Sequence, residues 1–217
     1  MSTLTLVRHG QARPFEKESD RLSELGEQQA RALRDHFGRV GARFDEVWSG
    51  SLERHRRTAE LAALAEWPAV RISPDWNEYD ATGVIRAVNP SPEAFADNRS
   101  FQKMLETGMD AWMSQTLVGA GGDGGFEPWP AFRERVLRAL RTLQSGPSNR
   151  RVLVFTSGGP IGMLVQQSLT APEKSFLAVN WRVKNASITE FTFSRDRLSL
   201  DGFNNVEHLA ADLRTYR

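Results

Sequence analysis

Apolar residues recur along this chain with two alternating periods, and their order describes an α/β protein. Leu4-Thr5-Leu6-Val7 predicts a first strand over about residues 3 to 8. Leu22, Leu25, Gln29, Leu33 and Phe37 recur at helical steps, with Ser23 placed as an N-cap. Phe44 to Trp48 reads as a second strand, followed by a helix from about Leu52 to Ala65 with Pro68 beyond its end. Val70 to Ile72 is a short strand. Asp75 to Ser91 reads as irregular, punctuated by Gly83 and the Asn89-Pro90 and Ser91-Pro92 pairs. Phe101, Leu105, Gly108 and Trp112 predict an amphipathic helix, and Phe132, Val136, Leu140 and Leu143 another. Arg151-Val152-Leu153-Val154-Phe155 is nearly continuous in apolar residues, as a strand covered on both faces is. Thr156-Ser157-Gly158-Gly159-Pro160 then leads to an apolar helix start at Ile161. Ile188 to Phe193 and Leu198 to Phe203 read as a β-hairpin. The expectation is a three-layer α/β sandwich: a mostly parallel central sheet flanked by helices, one domain over 1–217, with a helical lid or insertion at about 80–127.

Composition narrows the classes of function. The chain has 28 Lys and Arg against 27 Asp and Glu, a formal net charge of +1. That balance gives no general reason to expect nucleic acid or an anionic membrane as partner. Without cysteine there is neither a disulfide framework nor a thiolate metal site. No apolar run approaches a transmembrane span, and no export signal is evident, so the expected location is the cytoplasm. Gly119-Ala120-Gly121-Gly122-Asp123-Gly124-Gly125 contains a GxGxxG spacing. No strand precedes it and Pro128 and Pro130 follow, so it reads as a surface loop, not a dinucleotide site.

The candidate chemistry begins at Arg8-His9-Gly10, at the exit of the first strand. An imidazole nitrogen there can attack phosphorus, and a guanidinium can neutralise phosphoryl oxygens with a planar fork of donors. Gly10 lets the backbone approach a ligand closely. In a doubly wound sheet, ligands bind beyond the carboxyl ends of the strands. Three loops leave strands in that sense: one with Arg8, His9 and Gly10, one leading to Arg54, and one with Ser157, Gly158 and Gly159 at a helix N-terminus suited to an anion. Glu78 or Asp80 could be carried over the same spot. His55 follows Arg54 directly. Adjacent helical residues point about 100° apart, so the two are not expected to face one phosphate together.

Several ordered segments resemble the histidine phosphatase superfamily, also called phosphoglycerate-mutase-like. Leu6-Val7-Arg8-His9-Gly10-Gln11 is similar to its nucleophile motif, and Leu22 to Ala30 to its first-helix motif. Leu52 to Ala59 resembles the segment with its second arginine, Trp76-Asn77-Glu78 that with its acid, and Asn185 to Thr189 with Asn204 to Leu209 its closing hairpin. The resemblance implies that His9 is phosphorylated, that Arg8 and Arg54 grip the phosphoryl oxygens, and that Glu78 protonates the leaving oxygen. Gly10, Gln11 and Gly158 would line the phosphate, with no metal or other cofactor required.

Departures from the family pattern are as informative. The family's β-strand before the last helix turn usually ends Ser-His-Gly-Gly, whereas this chain has Thr156-Ser157-Gly158-Gly159. Ser157 thus stands where a second histidine donates to the phosphoryl group, and a hydroxyl cannot carry positive charge. Gln11, Ala12 and Phe15 replace Glu, Thr and Asn. The leading expectation is a metal-independent phosphatase acting on a small phosphorylated metabolite through a phosphohistidine on His9, slowed by Ser157. A catalytically weak or inactive phosphate-ligand-binding regulatory protein is the alternative, and a phosphoglycerate mutase is less favoured. A homodimer is left open.

Overall fold

The strand carrying His9 is the axis of the molecule because both of its faces and both of its edges are used. In the computed structural model, which describes residues 1–13, 20–89, 97–119 and 125–216, β1 (Ser2–Arg8) pairs in parallel with β4 (Arg151–Thr156) and antiparallel with β5 (Ile188–Phe193). The sheet has six strands in the order β3-β2-β4-β1-β5-β6. Here β2 is Glu46–Ser49, β3 is Val70–Ile72 and β6 is Leu198–Asn205. β1 to β4 run parallel to one another, and the closing hairpin of β5 and β6 is antiparallel. The parallel strands therefore release their chains at one end of the sheet, into the loops after Arg8, Ser49 and Thr156.

Side chains alternate across a strand, which explains the unbroken apolar runs. Val7, Leu153 and Phe155 join Leu33, Phe37, Ala59 and Ala62 in one core, beneath α1 (Glu24–Arg39) and α2 (Glu53–Ala62). Leu4, Leu6, Val152 and Val154, which point to the other face, are just as fully buried. Ser23 caps α1 as expected, its hydroxyl accepting from the Gly26 N–H. Arg57 bonds Glu27 at 2.9 Å and so ties α2 to α1.

The described residues divide into two compact units, Met1–Asn77 with Val136–Arg217, and Glu78–Arg135. In the second unit α3 (Ala81–Ala87) forms where an irregular segment was expected. Asp80 caps it, accepting from the Gly83 N–H at 2.9 Å. Gly83 does not break the helix; it admits a close neighbour, since a Cβ there would stand 2.5 Å from Phe126 Cβ. α4 (Asn98–Met113) carries Trp112, which packs against Tyr79, Trp129 and Phe132. Trp112 thus belongs to the core of that unit, as the amphipathic pattern implies. α5 (Trp129–Gln144) follows. α6 (Gly158–Ser168) begins three residues earlier than Ile161, and α7 (Ser175–Asn180), which no apolar periodicity marks, packs against it. Phe15 and the centre of the glycine-rich stretch, residues 120–124, lie outside the described residues. Among the described residues, no helix is long and apolar enough to cross a membrane.

Two glycines let the loop after β1 touch the start of α1. A Cβ on Gly10 would meet the Gly26 carbonyl oxygen at 2.3 Å, and one on Gly26 would meet the Gln11 carbonyl oxygen at 2.1 Å. Both obstacles are backbone, so neither can swing aside. Gly26→Ala is expected to cost roughly 1–3 kcal/mol through overpacking, lowering the melting temperature by about 2–10 °C. Gly38, in the last part of α1, meets only Leu64 Cδ2 at 3.8 Å. Gly38→Ala is expected to raise stability by up to about 1 kcal/mol. Thermal melts followed by circular dichroism read both changes, and equal effects would contradict the contact geometry.

Candidate active site

His9 leaves β1 with its backbone held on both sides. Its N–H donates to the Thr156 carbonyl at 2.9 Å, continuing the β1–β4 register by one step. Its carbonyl accepts from the Ala186 N–H at 3.2 Å and the Asn185 side-chain amide at 3.4 Å. The residues expected to start the closing hairpin thus anchor the His9 backbone. Gly10 is fixed next, its N–H donating to Thr58 Oγ1 at 3.1 Å, while Thr58 Oγ1 donates to the Arg54 carbonyl at 2.7 Å. Thr58 therefore couples the His9 loop to the first turns of α2.

The hydrogen bonds define the state of the imidazole. His9 Nδ1 is 2.7 Å from the Gly10 carbonyl oxygen. A carbonyl can only accept, so Nδ1 carries the proton. The lone pair is then on Nε2, where it accepts from Arg54 Nε–H at 3.2 Å. Burial, the Arg54 charge, the Arg8 charge and His55 together hold the His9 pKa well below the usual imidazole value. The ring is neutral at physiological pH, with its unprotonated nitrogen aimed at a guanidinium.

Arg54 itself is set by Asp20. Its Nη1 donates to Asp20 Oδ1 at 2.7 Å, and Asp20 Oδ2 accepts from the Glu53 N–H at 2.8 Å. Leu52, the N-cap of α2, has no capping side chain, so Asp20 does that work from another segment. Asp20 arrives there because residues 11–13 pair with 21–23: Ala12 bridges Leu22, and the Arg13 N–H donates to the Arg21 carbonyl at 2.9 Å. Nothing in the local sequence around Asp20 marks it; an Asp beside a capless helix start becomes visible only once the fold joins them. Asp20 is 40% exposed in its side chain. Its ion pair is worth about 1 kcal/mol or less, so a phosphate dianion can replace it on the guanidinium.

Arg8 Nη1 donates to the carbonyls of Val183 and, at 2.8 Å, Tyr216, which fastens the end of β1 to the C-terminal segment. Its charge still bears on the His9 ring. Gln11 is likewise drawn into the scaffold: its N–H donates to the buried Gln29 at 2.8 Å, and its side-chain oxygen accepts from Ser23 Oγ at 2.9 Å. Gly158 opens α6 and packs on α7, with room for no Cβ beside Asn180 Oδ1, 2.8 Å away.

His55, which helical geometry separates from Arg54, also lies near His9. His55 is fully buried, its ring centroid lies 5.5 Å from that of His9, and its Nε2 is 2.6 Å from Ser157 Oγ. The 100° rule applies to sites beside a helix. Here both residues sit in the first turn of α2, whose start lies at the end of the sheet where the parallel strands finish. Burial and Arg54 keep His55 well below the usual imidazole pKa.

The loop after β3 is delivered by a short 3-10 turn at Pro74–Trp76. Thr156 Oγ1 donates to the Trp76 carbonyl at 2.6 Å. Asn77 Oδ1 accepts from the Ser51 N–H at 2.7 Å and its amide donates to Ser51 Oγ at 2.8 Å. Trp76 is buried, 1% exposed, and belongs to the core and not to a cleft wall. Glu78 follows Asn77 in the chain and opens the second unit, where its Oε1 accepts from the Tyr79 N–H at 3.2 Å. Asp80 is occupied as the cap of α3. Among the described residues, no group of three or more His, Asp or Glu could hold a metal ion.

Comparison with known proteins identifies the family. The model of the histidine phosphatase superfamily (branch 1) matches residues 4–206. The chain is 31% identical over 195 residues to the "Probable phosphoglycerate mutase GpmB" of Erwinia tasmaniensis, covering 87% of this chain and 84% of that protein. It is 25% identical over 224 residues to a metal-independent phosphoserine phosphatase of Arabidopsis thaliana, covering 97% and 84%. The α-ribazole phosphatase structure from Shigella flexneri shares the fold, with a TM-score of 0.66 at 20% identity over 94% of this chain and 96% of that one. A family match over nearly the whole chain, on the fold and loops just described, means that this protein belongs to the histidine phosphatase superfamily.

Proposed function

We propose that this protein is a phosphatase that hydrolyses a small phosphomonoester through a phosphohistidine on His9. One observation carries the reading. A neutral, buried imidazole presents an unprotonated Nε2 to Arg54 while Gly10 holds its other nitrogen. That is an activated nucleophile with a charge-neutralising donor already in place.

The reaction has two steps. In the first, His9 Nε2 forms a bond to phosphorus as the bond to the leaving oxygen breaks. Arg54 turns its fork from Asp20 to the phosphoryl oxygens, and the Arg8 charge adds to the same positive field. The leaving oxygen takes a proton from Glu78. In the second, water attacks phosphorus, the P–N bond breaks, and Glu78 recovers a proton from that water. Glu78 is assigned by the family resemblance and by its place after Asn77; Asp80 is spent on α3. The arginines and the α6 N-terminus supply the positive charge, so the reading requires no metal.

The name of the Erwinia relative makes a phosphoglycerate mutase the second reading. A primer-dependent isomerisation of phosphoglycerate distinguishes it. A phosphate-binding regulator, with ligand affinity and background turnover, is the outcome that would displace both.

The first test is hydrolysis of an aryl phosphate and of O-phosphoserine with EDTA present. His9→Ala should abolish turnover, and Arg54→Ala should lower kcat by about 10²- to 10³-fold. Turnover that survives His9→Ala overturns the assigned nucleophile. Glu78→Gln should cost about 10²-fold or more on the alkyl ester and less on the aryl ester, whose leaving group needs little protonation. Equal losses would remove Glu78 from the acid's role. Because His9 titrates well below the ordinary imidazole range, protonation does not disable it near pH 6. Histidine NMR of the free protein should therefore find the His9 ring neutral down to about pH 6, and a ring that protonates in the ordinary imidazole range would contradict this.

A further inference from the structure

Ser157 stands at the N-cap of α6, yet its side chain caps nothing there. The hydroxyl instead meets His55, with Oγ and Nε2 2.6 Å apart and both residues fully buried. The other ring nitrogen, Nδ1, is buried without a hydrogen-bond partner among the described residues. It lies against Gly50, where an added Cβ would stand 2.1 Å from it. The chain thus places a polar ring in a site that holds only one of its two nitrogens, and reserves a glycine to make room.

A buried polar atom left unpaired costs about 1–3 kcal/mol, and an apolar side chain would avoid that cost. Such an atom beside a reactive group points to a use. The ring is neutral, so one nitrogen carries hydrogen. Placing it on Nε2 gives the hydrogen an acceptor in Ser157 Oγ; placing it on Nδ1 would leave a buried N–H with no hydrogen-bonded acceptor among the described residues. With Nε2–H donating, the Ser157 oxygen is an acceptor and its own proton is free to point elsewhere. The His9 ring is the neighbour, at 5.5 Å between centroids.

We propose that His55 is a positioning residue that orients and polarises the Ser157 hydroxyl toward the transferring phosphoryl group, so that two side chains on different loops do what one histidine after β4 does elsewhere in the family. This rests on the reading of the site as a phosphoryl-transfer centre. The imidazole has not been lost from the site. It enters from α2 and reaches the oxyanion through a hydroxyl. Arg54 is the charged group beside it on the same helix and His9 the titratable one facing it from β1.

Two measurements test this. In ¹⁵N-histidine NMR, His55 should show the Nε2–H tautomer, and inorganic phosphate should shift its ring resonances. In Ser157→Ala phosphate should still bind, but without moving His55. In steady-state kinetics, His55→Ala and Ser157→Ala should each lower kcat by at least about tenfold. The double variant should lie within about threefold of the lower single, because groups that act as a unit are not additive. His55→Gln, which keeps an N–H for Ser157, should recover most of the loss; it also serves if His55→Ala does not fold. A silent His55 ring at saturating phosphate, losses that multiply, or a folded His55→Ala with full kcat each overturns the proposal. If the unaltered protein neither binds phosphate nor turns over ester, the phosphatase reading falls with it. If His9-dependent turnover persists beside a silent His55, this inference alone falls.

Discussion

The hydrogen bond from His9 Nδ1 to the Gly10 carbonyl governs everything the site can do. It fixes which nitrogen carries the lone pair, and it does so with backbone, which has no alternative protonation state. Much of the surrounding structure exists to hold those two residues still. β4 and the 185–186 turn take the His9 backbone, Thr58 takes the Gly10 N–H, and Gly26 yields space for the loop to lie flat on α1. With the ring fixed, Arg54 needs only to reach it, and Asp20 keeps the guanidinium in reach without binding it strongly.

Electrostatics reinforces the geometry. Burial and the Arg54 charge weigh on a protonated form of either ring, and Arg8 adds to that at His9, so both imidazoles are held uncharged. The guanidinium of Arg54 puts positive charge beside a ring nitrogen that carries a lone pair, and the hydroxyl of Ser157 lies by the second ring. The cost of desolvating these groups is met during folding, so little reorganisation remains for the moment of reaction.

How much of this was legible in the chain depends on the range of each interaction. β1, β3 and the hairpin were readable because periodicity is local, and His9 was readable because it ends an apolar strand before a glycine. The helix at 81–87 was not, since Gly83 resembles a breaker until Phe126 is seen against it. Asp20 carried no local sign, because the helix it caps begins more than thirty residues later. Arg8 was read from its motif, and the carbonyls that hold its Nη1 come from the other end of the chain. The pairing of His55 with Ser157 spans 102 positions. The angle between neighbouring residues on one helix says nothing of it, and the contact is visible only once the helix start is set beside the strand ends.

The anchors of His9 also bear on biosynthesis. His9 is translated long before Asn185, Ala186, Thr215 and Tyr216, which steady it or its neighbours. β1 cannot gain either sheet neighbour until β4 and β5 have been made, so its apolar residues stay uncovered until then. The surroundings of His9 therefore assemble late, and a ribosome stalled before the closing hairpin carries a polypeptide with that imidazole still unmoored.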